Sequence, residues 1–251
     1  MADAGGRDRW LWLLGSLLLA TAAVQVMWQL KRRERRPSWV TRILEWEYGP
    51  SLFVFLRALF YVGIPFAALI WGRDAVIGRL LGLQPMVSLN ALLGEPVTAA
   101  EIAANWADWA RDVGWAVGLG TAAWAVLSAG WWAASRAPTS HLPAGSSLSP
   151  WARLREATFH EVHWAFYRNA PILELGLYWG AWFGLGLAAL EALLNPHWRV
   201  SLGSPDGAPA AVMRAGMAVL STVLFLQTQN LWLTVMVHWA VTWGLSAWTL
   251  L

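Results

Sequence analysis

Long apolar runs bounded by charged or helix-breaking residues divide the chain into segments of membrane-crossing length. The first, Trp10 to Leu30, carries no charge. Arg7 and Arg9 precede it and the cluster KRRERR, Lys31 to Arg36, follows it, so it reads as an anchor ended by a cytoplasmic stop rather than as a cleaved leader. Pro37 to Pro50 mixes Trp39, Trp46 and Tyr48 with charges and is predicted to lie at the interface. Leu52 to Trp71 is the second span; Arg57 is expected to snorkel along its stem to the near surface, and Pro65 to kink the helix. Gly72 to Thr98 is a connection without a motif. The sequence TAAE from Thr98 to Glu101 is a capping box, and the Pro-free stretch from Ala99 to Ala134 can then run for about 54 Å as one helix, the third span, with Asp108, Arg111 and Asp112 marking the water boundary.

Arg136 to Ser149, RAPTSHLPAGSSLS, has linker composition; His141 within it reads as a solvated loop residue, and Ser149 with Pro150 forms an N-cap and first-turn pair. Ile172 to Leu194 is predicted as the fourth span, with Gly176, Gly180 and Gly184 recurring every four residues as a face for close helix approach. Ala210 to Leu226 is the fifth and Leu231 to Leu251 the sixth. Gln227 to Asn230 leaves room only for a tight turn between them. The fold expected is an all-α polytopic membrane helix bundle of about six transmembrane helices: an N-terminal membrane region 1–135 with three of them, a linker 136–150, and a membrane domain 151–251 with three more. Basic residues after spans one and three, including Arg136, Arg153 and Arg155, place those segments in the cytoplasm and both termini outside.

Composition agrees with an integral protein of the cell membrane. Of 251 residues, 57% are apolar and only 13% charged, against about a quarter charged in soluble domains, and the mean hydropathy is +0.44. The 21 Trp suit headgroup boundaries and contacts with lipid, pigment or partner helices. Absence of Cys removes disulfides, thiolate nucleophiles and thiolate metal sites. The Arg clusters report topology, and no nucleic-acid-binding module accompanies them, so no nucleic-acid partner is expected.

The chemistry-bearing stretch is Phe159 to Leu175, FHEVHWAFYRNAPILEL. On a helix, Glu156, His160, His163 and Tyr167 share one stripe, and Glu161, Trp164 and Arg168 share the next. A charge at bilayer depth faces protein or a wet cavity, so Glu161 and Arg168 are expected to be within reach of each other or of bridging polar groups, or paired through Glu174. His238, the one ionisable residue of the last span, reads either as a packing histidine or as a neighbour of Glu161 or His163. His160 and His163, with Glu156, Glu161, Glu191 or His238, contain no zincin spacing, so no metal is assigned, and no cofactor is named by any motif.

From about Arg155 onward the chain resembles the CPBP intramembrane protease family, the CAAX-processing and bacteriocin-immunity type. AFYR, Ala165 to Arg168, resembles the end of its EExxxR motif; WFGLG, Trp182 to Gly186, the surroundings of FxxxH; and TQNLWLTVMVHW, Thr228 to Trp239, the last motif with its helix His. The resemblance implies a glutamate-activated water attacking a peptide bond in a membrane cavity, with His and an Asn-type oxyanion donor assisting. In that register the Glu pair falls on His163 and Trp164, the FxxxH His on Leu187 and the Asn on Thr242, while Arg168, Phe183 and His238 match. Candidate site residues are therefore Glu161, His163, Arg168 and His238, with an imidazole as the remaining base. Two functions follow: a catalytically silent accessory or packing subunit of a membrane protein assembly, or an intramembrane peptidase with an altered His/Glu site.

Overall fold

The structure, a computed structural model, describes residues 4–32, 42, 46–71, 81–83, 98–136, 148–205 and 207–248. The basic cluster beyond Arg32, most of the interfacial segment, the connection 72–97 apart from 81–83, and the linker 137–147 with His141 lie outside the described residues. All elements described are helical: α1 (Ala4–Arg32), α2 (Gly49–Trp71), α3 (Ala99–Ser135), α4 (Pro150–Leu194), α5 (Pro196–Leu202), α6 (Ala208–Thr228) and α7 (Leu231–Trp248). Five of them, α1, α2, α3, α4 and α6, contain runs long and apolar enough to cross a membrane, and α7 is a shorter apolar helix. The chain is thus a multi-pass helical membrane bundle, as its apolar pattern predicts.

Local signals act as their chemistry requires. The Thr98 backbone amide donates to Glu101 Oε2 at 2.8 Å and the Glu101 amide to Thr98 Oγ1 at 3.3 Å, the reciprocal bonds of a capping box. Ser149 Oγ accepts from the Ala152 amide at 3.2 Å, with Pro150 in the first turn. In α2 the helix widens into one π turn at Leu59–Gly63, just before Pro65. The proline ring lacks the N–H that would bond back into this turn, and the wider turn absorbs the mismatch. Arg57 does not snorkel: its Nη1 and Nη2 donate to Glu156 Oε1 and Oε2 at 2.9 and 2.6 Å, because α4 supplies a carboxylate at the same level.

The largest departure from the apolar pattern is in α4. Gly176 has φ 78° and ψ 169°, a conformation essentially reserved for glycine, and the helix folds back on itself there. Residues 150–175 form an outgoing arm of about 39 Å and residues 177–194 a returning arm of about 27 Å. The arms lie antiparallel: Gly180 abuts the backbone of Ile172, Gly184 that of Arg168, and His163 meets Glu191. The span expected at Ile172 to Leu194 is therefore the returning arm plus the tip of the outgoing one. Of the three glycines, Gly176 is the hinge and the other two let the arms touch.

This fold-back also revises the orientation of the last two spans. Arg9 of α1 pairs with Glu174 beside the hinge, while Gln25 reaches the Leu194 carbonyl and Trp28 packs on His197, so α1 runs from the Gly176 end to the Leu194 end. Phe225 of α6 lies under Arg168, with Ser221 one turn before it, so α6 runs with the outgoing arm and its turn to α7 lies at the Gly176 end. There the Leu231 amide donates to the Gly82 carbonyl at 2.8 Å. α7 descends until Trp239 Nε1 donates to the Pro150 carbonyl at 3.1 Å. The tight hairpin of the last two spans forms through Gln229 in the left-handed region (φ 48°). It sits, however, at the end opposite to Arg153, Arg155 and Arg199, and the two ends of the described chain lie at opposite ends of the bundle rather than on one side. Leu13 and Leu17 (α1), Ala68 (α2), Leu81, Ala165 to Tyr167 and Ala170 (α4), Leu231 and Val235 (α7) form one core around the outgoing arm.

Candidate functional site

The outgoing arm of α4 is the most polar helix of the bundle and its most enclosed. Glu161 and Asn169 have no accessible surface, and Arg168 has 1%. Hydrocarbon offers no partner to such groups, so the helix that carries them occupies the centre, where other helices supply the missing bonds.

On one side of the arm, Glu161 holds two protein groups. The His238 ring meets its Oε1 through Nδ1 at 2.8 Å, and Ser221 Oγ donates to its Oε2 at 2.5 Å. Arg168 Nη1 donates to the same serine oxygen at 3.1 Å, and its guanidinium lies 4.4 Å from the Phe225 ring centroid. Glu161 and Arg168, expected in contact or bridged, are bridged by Ser221. Geometry on the helix explains this: seven residues apart, the side chains share a stripe but lie about 10 Å apart along the axis. The carboxylate being bound to Nδ1 fixes the His238 ring and leaves Nε2 as its other functional nitrogen. Trp164 stacks on this ring at 5.6 Å with planes 18° apart.

On the other side, His163 turns away from His238. Its Nε2 meets Glu191 Oε2 on the returning arm at 2.8 Å, and Phe60, Tyr61 and Tyr167 surround the ring at centroid distances of 5.1, 5.0 and 4.3 Å. The position of His163 between α2 and the returning arm follows from the fold-back, which sequence spacing does not contain. Glu174 bonds Arg9 rather than Arg168. His160 lies between the two groups: its Nδ1 donates to the Glu156 carbonyl at 2.7 Å, and its ring is 5.9 Å from His238 and 6.0 Å from Tyr61. The four sequence candidates therefore divide, with Glu161, Arg168 and His238 in one network and His163 in another.

Buried polar atoms remain beyond these bonds. Arg168 Nε and Nη2 and His163 Nδ1 have no protein partner among the described residues. Among the same residues, no three His, Asp or Glu converge to hold a metal ion. Chemically, the Glu161–His238 pair is a carboxylate orienting an imidazole, an arrangement suited to accepting a proton, and Glu161 itself is shielded by the two groups that bond it. Sequence reasoning missed Ser221, the bridge of the first network. Its one signal is a hydroxyl pair, Ser221 and Thr222, in the otherwise apolar middle of α6. No protein-family model, no curated protein and no solved structure matches the chain.

Proposed function

We propose that this multi-pass membrane protein has a CPBP-like fold and serves as a catalytically silent accessory or packing subunit of a membrane protein assembly. The observation that carries the reading is the state of Glu161. Both oxygens of this fully buried carboxylate in the centre are taken, by His238 and by Ser221, so neither is free to hold and deprotonate an attacking water. The family register agrees, because the expected Glu pair falls on His163 and Trp164. Tyr178, Trp179, Trp232 and Trp243 are exposed along the outside, a surface suited to lipid or to neighbouring helices.

A second reading, an intramembrane peptidase with an altered site, is favoured by the Glu161–His238 bond itself, since an imidazole oriented by a carboxylate is a general-base arrangement. One experiment separates the two. The purified protein is reconstituted with membrane-embedded and prenylated peptides beside a His163→Ala, His238→Ala double variant, and everything that co-purifies in mild detergent is identified by mass analysis. The silent-subunit reading expects no cleavage by either protein and stoichiometric membrane-protein partners. Cleavage lost in the double variant establishes the peptidase.

A further inference from the structure

Glu161 stands eleven residues from the first residue of the outgoing arm and fourteen from its last, near the middle of the bundle. Among the described residues, a chain of titratable side chains leads to it from the Leu194 end. Glu156, a quarter exposed, pairs with Arg57. His160 lies one turn above it and donates through Nδ1 to the Glu156 carbonyl, which can only accept, so Nε2 of His160 is free to carry a proton. The His238 ring is the next group, its centroid 5.9 Å from that of His160. Its Nδ1 meets Glu161. Beyond Glu161, toward the Gly176 end, comes Arg168, a fixed positive charge with 1% exposure. A buried guanidinium on the path repels a proton, as it does in pores that exclude cations.

We infer that the Glu161–His238 pair is a buried proton-binding site at mid-depth, filled through His160 from the Leu194 end and closed toward the Gly176 end by Arg168. The step balances without a co-reactant. A proton from water at the Glu156 end adds to His238 Nε2 by way of His160, and the proton on His238 Nδ1 is shared with Glu161 Oε1. The pair then holds one proton more, and that proton belongs to both groups. Uptake weakens the charge compensation that reaches Arg168 through Ser221, so proton occupancy and the packing of α6 on the outgoing arm are linked.

The other charges around the pair are placed so that this route is distinguishable. On the outgoing arm these are Glu156, His163 and Arg168; on the returning arm, Glu191, bound to His163. On α2 they are Arg57 and Tyr61, and on α6 Arg214. On α7 His238 is the one ionisable residue among those described. α3 carries Glu101, Asp108, Arg111 and Asp112 in its first fourteen residues, Arg136 follows its last, and Arg9 of α1 is engaged with Glu174.

This inference goes beyond the silent-subunit reading and stands or falls separately, since it concerns protons and not peptides. The test is a pH jump on the protein in nanodiscs and in proteoliposomes of determined orientation, read by an indicator dye and by the infrared bands of carboxyl groups. Wild type is expected to take up one proton more than Glu161→Gln, and acid applied at the Leu194 end alone is expected to suffice. His160→Phe, which keeps every bond of Glu161, is expected to slow uptake at least about tenfold with the final stoichiometry unchanged. Ser221→Ala, which removes the donor on Oε2, is expected to shift the carboxyl band. Equal uptake by wild type and Glu161→Gln overturns the inference, as does filling from the Gly176 end, an unaltered rate in His160→Phe, or an unshifted band in Ser221→Ala. The last two variants decide the matter if Glu161→Gln does not fold.

Discussion

A methyl group placed on Gly180 should part the two arms of α4, and the same methyl on Gly186 should do nothing of the kind. A Cβ built on Gly180 overlaps the backbone of Ile172, and it lies 2.6 Å from the carbonyl carbon of Pro171. Carbon atoms rest at about 3.5–4.0 Å, so the arms must separate by about 1 Å. The obstacle is backbone, so no side chain can swing aside. Around Gly186 there is no atom within 4 Å of the added Cβ. The separation also stretches the 2.8 Å bond between His163 and Glu191 past the hydrogen-bond limit. Overpacking of this kind costs about 1–3 kcal/mol, and leaving the buried imidazole without its partner adds about 1–3 kcal/mol.

Thermal unfolding in detergent measures the difference. At about 2–4 °C per kcal/mol for a chain of this size, Gly180→Ala should lower the midpoint by several degrees. Gly186→Ala should leave it unchanged or raise it slightly, since alanine is favoured over glycine within helices by up to about 1 kcal/mol. Equal midpoints for the two variants would refute the fold-back at Gly176, because the close approach of Gly180 to the Ile172 backbone that the fold-back creates would then be absent.

Two further outcomes follow from pairs seen across the bundle. The parallel two-bond contact of Arg57 with Glu156 should show a coupling of about 1–3 kcal/mol in a double-mutant cycle of Arg57→Ala and Glu156→Ala, measured by unfolding in detergent; strict additivity would return Arg57 to the snorkelling role that its position in the second span suggests. Gln229 holds φ 48° in the turn between α6 and α7, so Gln229→Gly should stabilise the protein by about 1 kcal/mol by relieving a left-handed side chain, and a loss of stability in the same assay would show that the glutamine makes a bond worth more than its strain.

The helical class, the capped starts at Thr98 and Ser149 and the closing hairpin were legible because each depends on residues close together in sequence. The hinge at Gly176 was not. A glycine every four residues is the same signal whether the helix continues and packs on a neighbour or stops and packs on itself, and only the backbone angles of the first glycine distinguish the two. Hydropathy compounded this by marking Ile172 to Leu194 as the span and the charged stretch before it as an approach. Within the site, Glu161, Arg168 and His238 were found by the rule that intramembrane charges need partners. Ser221 was missed because an adjacent hydroxyl pair among apolar residues carries no spacing signal, and which of Glu161 and His163 meets His238 was left open because the direction of His163 depends on where the returning arm lies.

The reason the most polar helix is central is the reverse of the rule for soluble domains. Lipid solvates apolar side chains, so the outside of the bundle can be Leu, Val, Phe and Trp, and the interior is where polar groups find bonds. The outgoing arm then acts as the specifier of the whole arrangement. Its polar side chains each select a different element: Glu156 takes Arg57 of α2, Glu161 takes His238 of α7, Arg168 takes Ser221 of α6, His163 takes Glu191 of the returning arm, and Glu174 takes Arg9 of α1. Apolar helix surfaces slide past one another at little cost, since lipid tails are as apolar as the side chains they replace. A helix shifted by one turn here would instead strand a charged or polar group in hydrocarbon, at about 2.5–3.5 kcal/mol for a charge near the centre. The bonds around the outgoing arm therefore set register and neighbour order, and the same bonds that fix the fold hold Glu161 beside His238 at mid-depth.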